Sequence, residues 1–239
     1  MKSIFLLSAA LLVICGCSQQ DESNLMQDKR VYEFSWCSYN GEYKAKDLNN
    51  ELISYLGFLT NLKDQNGLNK ETKYLNPSFT QNRYDFSWLD IFKNELEKKA
   101  FYEFSENSEI HKNWLSSKEE IITCDSLKQT FYEIKIVQNY SSSDGDQTYI
   151  GFCKLKDGFE LDYIINKLKK NSIFFDKPYN QVVLIPNFNI IDFNLLIYLE
   201  SDFVLNDLNL IRKGGIENAC EVYENYSANS LLFDTYIID

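Results

Sequence analysis

Histidine is almost missing from this chain: among 239 residues there is one, His111. An HExxH zinc site or any cluster of histidine ligands is thereby excluded. Other catalytic signatures are missing too. There is no GxSxG, no phosphate-binding P-loop, no GxGxxG and no CxxC. Positive charge is also in short supply. Lys and Arg total 24 against 35 Asp and Glu, a net charge of −11. A chain of this sign repels phosphate backbones and anionic lipid head groups, so nucleic acid is not an expected partner. Beyond the first residues, no apolar run approaches the roughly 18 residues of a membrane span. The richest stretches, Val182–Ile185 and Leu195–Leu199, have strand length. Apolar residues make up 44% and aromatic residues 15%, enough to build a core, so disorder is excluded.

The N-terminus carries the clearest address. Lys2 gives a short basic start, Ile4–Ile14 is apolar, and Ile14, Cys15, Gly16 and Cys17 precede the polar Ser18, Gln19, Gln20 and Asp21. This is the layout of a secretory signal peptide. Its end resembles the lipobox of bacterial lipoprotein precursors. The resemblance implies a signal peptide over residues 1–16, a lipid on Cys17 and a tether over residues 17–29. Membrane contact then comes from the acyl chains. The implied location is the cell envelope. Ser18 in place of Asp implies the periplasmic face of the outer membrane if the cell has two membranes.

Four cysteines remain in the mature chain: Cys37, Cys124, Cys153 and Cys220. An even count in an oxidising compartment suggests two disulfides, and composition leaves all three pairings open. An internal repeat narrows the organisation. Tyr32–Gly41 resembles Tyr149–Gly158, and Tyr84–Phe92 lines up with Ile191–Leu199. Cys124 before the Phe131–Val137 run matches Cys220 before Leu232–Ile238. The period is too long for a solenoid and reads as a duplicated domain, residues 30–138 and 147–239, joined by a polar linker at 139–146.

Each half has the same rhythm. First strands are expected at 31–39 and 147–155, then helices at 46–62 and 159–171. Second strands are expected at 72–80 and 180–186, third strands at 84–92 and 190–199. Second helices follow at 94–121, broken near 105–108, and at 203–222, with last strands at 130–138 and 231–238. The order is β-α-β-β-α-β, the ferredoxin-like unit, whose sheet has one face bare of helices. The expected fold class is α+β: two tandem ferredoxin-like repeats packed as an intramolecular pseudo-dimeric α/β barrel. This architecture resembles the dimeric α/β-barrel superfamily, which includes antibiotic-biosynthesis-type monooxygenases, stress-response barrel proteins and haem-degrading enzymes. In that fold the first and last strands are antiparallel neighbours, which implies Cys37 with Cys124 and Cys153 with Cys220.

Alternation on the first strand places Tyr32, Phe34 and Trp36 on one face and Glu33, Ser35 and Cys37 on the other. On the third strand Asp85 and Ser87 oppose Phe86 and Trp88, and Asp192 and Asn194 repeat them. Glu33, Ser35, Asp85, Ser87, Asp192 and Asn194 are therefore the candidate ligand-binding row, expected to face the space between the halves. His111, flanked by Glu109, Lys112 and Asn113, reads as a surface residue, although some haem-degrading barrels of this resemblance carry their axial histidine on the second helix. Asp144, Gly145 and Asp146 read as a solvated turn, since Leu155 stands where a calcium loop needs Glu. No metal, cofactor or catalytic residue is expected. The leading functional expectation is a non-enzymatic envelope lipoprotein that binds a small apolar or aromatic ligand or a protein partner. The alternatives are a cofactor-independent monooxygenase or haem-active enzyme of the barrel type, and a structural envelope protein.

Overall fold

The computed structural model describes residues 28–68, 70–77, 84–125, 128–138, 141, 146–171, 178–187, 193–202, 216 and 218–234. The lipobox, the tether up to residue 27, Asp144 and Asp192 lie outside them. In order these residues form β1 (Val31–Tyr39), α1 (Ala45–Asn66), β2 (Lys70–Pro77), β3 (Phe86–Phe92), α2 (Glu95–Asn107), α3 (Glu109–Ile121), β4 (Ile122–Cys124) and β5 (Gln129–Gln138). The second half supplies β6 (Gln147–Leu155), α4 (Leu161–Asn171), β7 (Asn180–Pro186), β8 (Leu195–Ser201) and β9 (Cys220–Asp234).

Each half has the sheet order of a ferredoxin-like unit, β5-β1-β3-β2 and β9-β6-β8-β7. The halves then join edge to edge. β2 pairs with β9, and β5 pairs with β7, both antiparallel. With β1 on β3 the ring of eight strands closes, and the short β4 extends β1 alone. Closure leaves no free edge along the ring. It also explains the main departure from the sequence reading. β9 begins at Cys220, so residues 220–222 are strand, although a helix to 222 and a strand from 231 were expected. The strand must be long because it pairs first with β6, from Cys220 to Asn229, and then with β2, from Ala228 to Asp234.

The alternation seen in β1 sorts the core into layers. Tyr32, Phe34, Leu89, Ile91 and Phe131 meet Ile150, Val182, Leu184, Leu196 and Tyr198 inside the barrel. An eight-stranded barrel is just wide enough for side chains to fill it. The space between the halves is thus a packed core, with a gap of only about 20 Å3 beside Lys73 and Glu200. The outer face carries helices. α1 presents Leu48, Leu52, Tyr55, Leu59 and Leu62 at helical spacing, with Phe58, against Val31, Trp88 and Phe92. Ile164 and Leu168 of α4 cover Tyr149, Cys153 and Ile197 in the second half. α1 ends at Gly67, whose φ of 61° is the left-handed cap conformation that glycine adopts without a Cβ clash.

Both disulfides are formed as the fold implied, Cys37 with Cys124 and Cys153 with Cys220. Two local features repeat between the halves. The Asp85 N–H donates to Cys37 O at 2.9 Å, and its carboxylate accepts from the Tyr39 N–H at 2.7 Å. The Asn194 N–H donates to Cys153 O at 3.0 Å, and its Oδ1 accepts from the Leu155 N–H at 3.0 Å. Asp85 therefore corresponds to Asn194, two residues beyond the Asp192 that sequence alignment matched to it. Asp146 is buried at the start of β6, against the expectation of a solvated turn.

Candidate functional site

The candidate site forms where a helix breaks. Ser108 adopts an extended backbone (φ −88°, ψ 116°) between α2 and α3. Its hydroxyl caps α3 by accepting from the His111 N–H at 3.3 Å. The break leaves the last carbonyls of α2 without helical partners. Another carbonyl there, Ser105 O, accepts from the Ser108 N–H at 3.3 Å and lies 3.2 Å from His111 Nδ1. A carbonyl only accepts, so the neutral imidazole carries its proton on Nδ1 and Nε2 keeps the lone pair. The ring packs on Phe58 (centroids 4.6 Å apart) and Trp114 (5.9 Å), with Phe101 at 6.2 Å. His111 is thus half-buried and braced by aromatics, not the surface residue expected from its charged neighbours. Burial and the charge of Lys70 lower its pKa to about 4, against the Ser105 bond, so the imidazole is neutral at ordinary pH.

His111, Trp114, Leu115 and Lys118 share the face of α3 that turns toward the sheet. With Ser105 and Tyr102 of α2 and Ser35, Lys70, Trp88 and Asp90 of the strands, they line a cavity of about 620 Å3. That volume falls within the usual range of small-molecule sites. The cavity lies between the helices and the outer sheet face of the first half, not between the halves.

Its floor is ionic. Glu33 and Asp90 are directly opposite on β1 and β3, both 5% exposed. Lys70 Nζ lies 2.9 Å from Asp90, which also accepts from Thr72 Oγ1 at 2.8 Å and Trp88 Nε1 at 3.2 Å. Burial pushes the Asp90 carboxyl up, but Lys70 and Lys128 overcome this and hold it below the usual carboxylate range. Glu33 accepts from the Tyr102 hydroxyl and lies 3.3 Å from Lys128 and 3.6 Å from Lys98. Burial, then the Glu33 charge, raises the Tyr102 pKa, so Tyr102 is a neutral donor.

Of the row expected from the sequence, the five described residues do not gather into one cluster. Ser35 lines the cavity, and Glu33 stands behind it, anchoring Tyr102 and Lys128. Ser87 points the other way, into the barrel, because it is opposite Trp36 in the β1–β3 register. Asp85 and Asn194 are the exposed strand-entry braces described above, and Asp192 lies outside the described residues. The partner that Glu33 finds on β3 is Asp90. Sequence reasoning passed over Asp90, Lys70, Ser105, Trp114, Lys118 and Lys128. A signal for the first was present: a carboxylate inside the apolar Trp88–Phe92 run implies a buried charge with a cation to match. Among the described residues, no three His, Cys, Asp or Glu side chains are grouped to hold a metal ion, and no helix is long and apolar enough to cross a membrane.

No family model and no curated protein matches the sequence. Solved structures do match in shape. A chlorite dismutase variant from Candidatus Nitrospira defluvii superposes with a TM-score of 0.54 at 10% identity, over 87% of this chain and 94% of its own. A protein from Lactobacillus acidophilus proposed to be a monooxygenase gives 0.56 at 9% identity, over 87% and 97%. A haem-binding protein from Thermus thermophilus gives 0.53 at 9% identity, over 86% and 92%. Likeness at such identities speaks for the fold alone: this chain has the dimeric α/β-barrel fold of chlorite dismutase-like proteins, built from tandem repeats within one polypeptide.

Proposed function

We propose that this chain is a haem-active protein of the dimeric α/β-barrel type, with the first-half cavity as its site. The observation that carries the reading is His111: a neutral imidazole, braced by Phe58 and Trp114, with Nδ1–H on a backbone carbonyl and the lone pair on Nε2. A histidine ligand needs this arrangement, since the bond at Nδ1 fixes the tautomer and strengthens the other nitrogen as a donor to metal. The donor set fits the group. His111 would hold the iron, Trp88, Phe101 and Trp114 would flank the macrocycle, and Lys118 and Lys128 would face its acidic side chains. Haem, when bound, supplies redox chemistry at iron. The protein's own part is to bind and to keep the imidazole neutral, while Tyr102 stays protonated with its hydroxyl donated to Glu33.

Two solved structures of this fold are of a chlorite dismutase and a haem-binding protein, which supports this reading over binding without turnover. The test is a titration of the purified chain with iron protoporphyrin. A sharp Soret band that saturates at one equivalent, and that His111→Ala abolishes while the far-ultraviolet circular dichroism is unchanged, is the expected result. An unaltered band in His111→Ala would sink it. Oxygen consumption by the iron-free protein with an aromatic substrate would instead favour a cofactor-independent monooxygenase.

The lipobox at Cys17 supports a lipid-anchored location in the cell envelope, which we add to the proposal on the sequence alone.

A further inference from the structure

Two polar atoms in the cavity wall are buried and unpaired among the described residues: Ser105 Oγ and Trp114 Nε1. Their residues are 3% and 4% exposed. A buried donor without an acceptor is costly, so each calls for a partner that the described residues do not supply. Both can donate, and the indole N–H can only donate.

Charge around the cavity points the same way. Lys70, Lys98 and Lys128 surround Glu33 and Asp90 and already neutralise them. Lys118 is left over. Its ammonium lies 5.0 Å from the Trp114 ring centroid, and no carboxylate stands within ion-pair distance of it among the described residues. The acidic residues nearest the rim do not cancel it: Glu106, Glu119 and Asp125 are exposed. Burial and the repulsion of Lys128 lower the Lys118 pKa to about 8, with Asp90 and Glu119 acting against them. In a chain of net charge −11, a cavity holding an uncompensated cation beside two idle donors selects for an anion. The walls, Trp88, Phe101 and Trp114, select for a flat apolar body.

We propose that Ser105, Trp114 and Lys118 form a carboxylate subsite, so that the cavity takes a planar aromatic carboxylate. The inference rests on the reading of this cavity as the functional site, but not on iron. Lys118 supplies the charge, Ser105 Oγ and Trp114 Nε1 donate to the carboxylate oxygens, and the aromatic walls enclose the ring. The carboxylate groups of a tetrapyrrole and the single carboxylate of a small aromatic acid share this chemistry.

Naphthoate and naphthamide, which share a ring system and differ in charge, separate the terms. Binding to the full chain is read by calorimetry and by quenching of tryptophan fluorescence, since Trp88 and Trp114 both line the cavity. Naphthoate should bind at least about tenfold more tightly than naphthamide, the effect of one charge-assisted hydrogen bond. Lys118→Met should remove that preference and leave naphthamide affinity unchanged. Lys118→Arg should retain most of the preference. Ser105→Ala and Trp114→Phe should each weaken naphthoate several-fold. Equal affinity for the two probes, binding of neither, or a preference that survives Lys118→Met would overturn the subsite. If naphthoate shows the expected pattern while iron protoporphyrin gives no histidine-dependent band, the subsite stands and the haem reading falls.

Discussion

Lys73 of β2 is ion-paired with Glu200 of β8, a bond between the two halves in which each side chain is only 2% exposed. The same ammonium lies 2.9 Å from Glu71, which in turn holds Arg30 at 2.9 Å. Burial opposes the charge on Lys73, yet Glu200 and Glu71 more than restore it, and its pKa stands above the ordinary lysine range. The network sits at one end of the barrel interior, where Tyr32 also donates to Glu133 at 2.9 Å.

Removing one member of a buried pair strands the other. Lys73→Met should therefore destabilise the chain by about 3–5 kcal/mol. Lys73→Met combined with Glu200→Leu should recover much of that loss, because no charge is then left without its partner. Urea unfolding of the two variants decides the matter. A single variant within about 1 kcal/mol of the parent would show that the pair does not hold the halves together.

Each disulfide closes a long loop, with sequence separations of 87 and 67 residues. Chain entropy assigns each about 4 kcal/mol. Their functional consequences should differ. Cys124 lines the cavity and its bridge pins β4 to β1, directly after the helix that carries His111 and Lys118. Replacing Cys37 and Cys124 by serine should weaken naphthoate binding as well as stability. Replacing Cys153 and Cys220 should lower stability alone. Binding losses of equal size in both double variants would contradict this assignment.

Most of this fold could be read from the chain because its signals are local and repeated. Val31–Tyr39 and Gln147–Leu155 interleave apolar with small or polar residues, and both strands match their expected bounds. The break near Ser108 was legible because serine competes with the backbone for helical hydrogen bonds. β9 was misjudged because its length answers to two partners that are distant in sequence, β6 and β2, and nothing within residues 220–230 encodes that. The site was misplaced for a related reason. Glu33 and Ser35 were recognised as polar residues on a core strand, but which face meets the helices depends on barrel closure. The closed ring fills its interior with Tyr32, Phe34 and Leu196, and that sends Glu33 outward to Asp90.

Anchoring should depend on Cys17. Cys17→Ser should give an uncleaved or soluble product, and metabolic labelling with palmitate should be lost. Label retained in this variant would remove the lipobox from the account.

The pH dependence of anion binding provides the sharpest check on Lys118. Its pKa of about 8 means that the free site holds the proton below pH 8 and loses it above. Naphthoate prefers the protonated ammonium, so affinity should be flat from about pH 6 to 8 and then fall toward tenfold per pH unit. The charged groups around Lys118 are Glu119 on its own helix, Lys70 of β2, Asp90 of β3 and Lys128 before β5. Lys70 and Lys128 repel its charge while Asp90 and Glu119 attract it, so Lys128→Gln should move the break upward by relieving repulsion. Lys118→Arg should abolish the break, because a guanidinium stays charged throughout this range. Naphthamide, having no charge to recognise, should bind equally across the whole interval. A profile that breaks identically for naphthoate and naphthamide, or that persists in Lys118→Arg, would place the titrating group elsewhere.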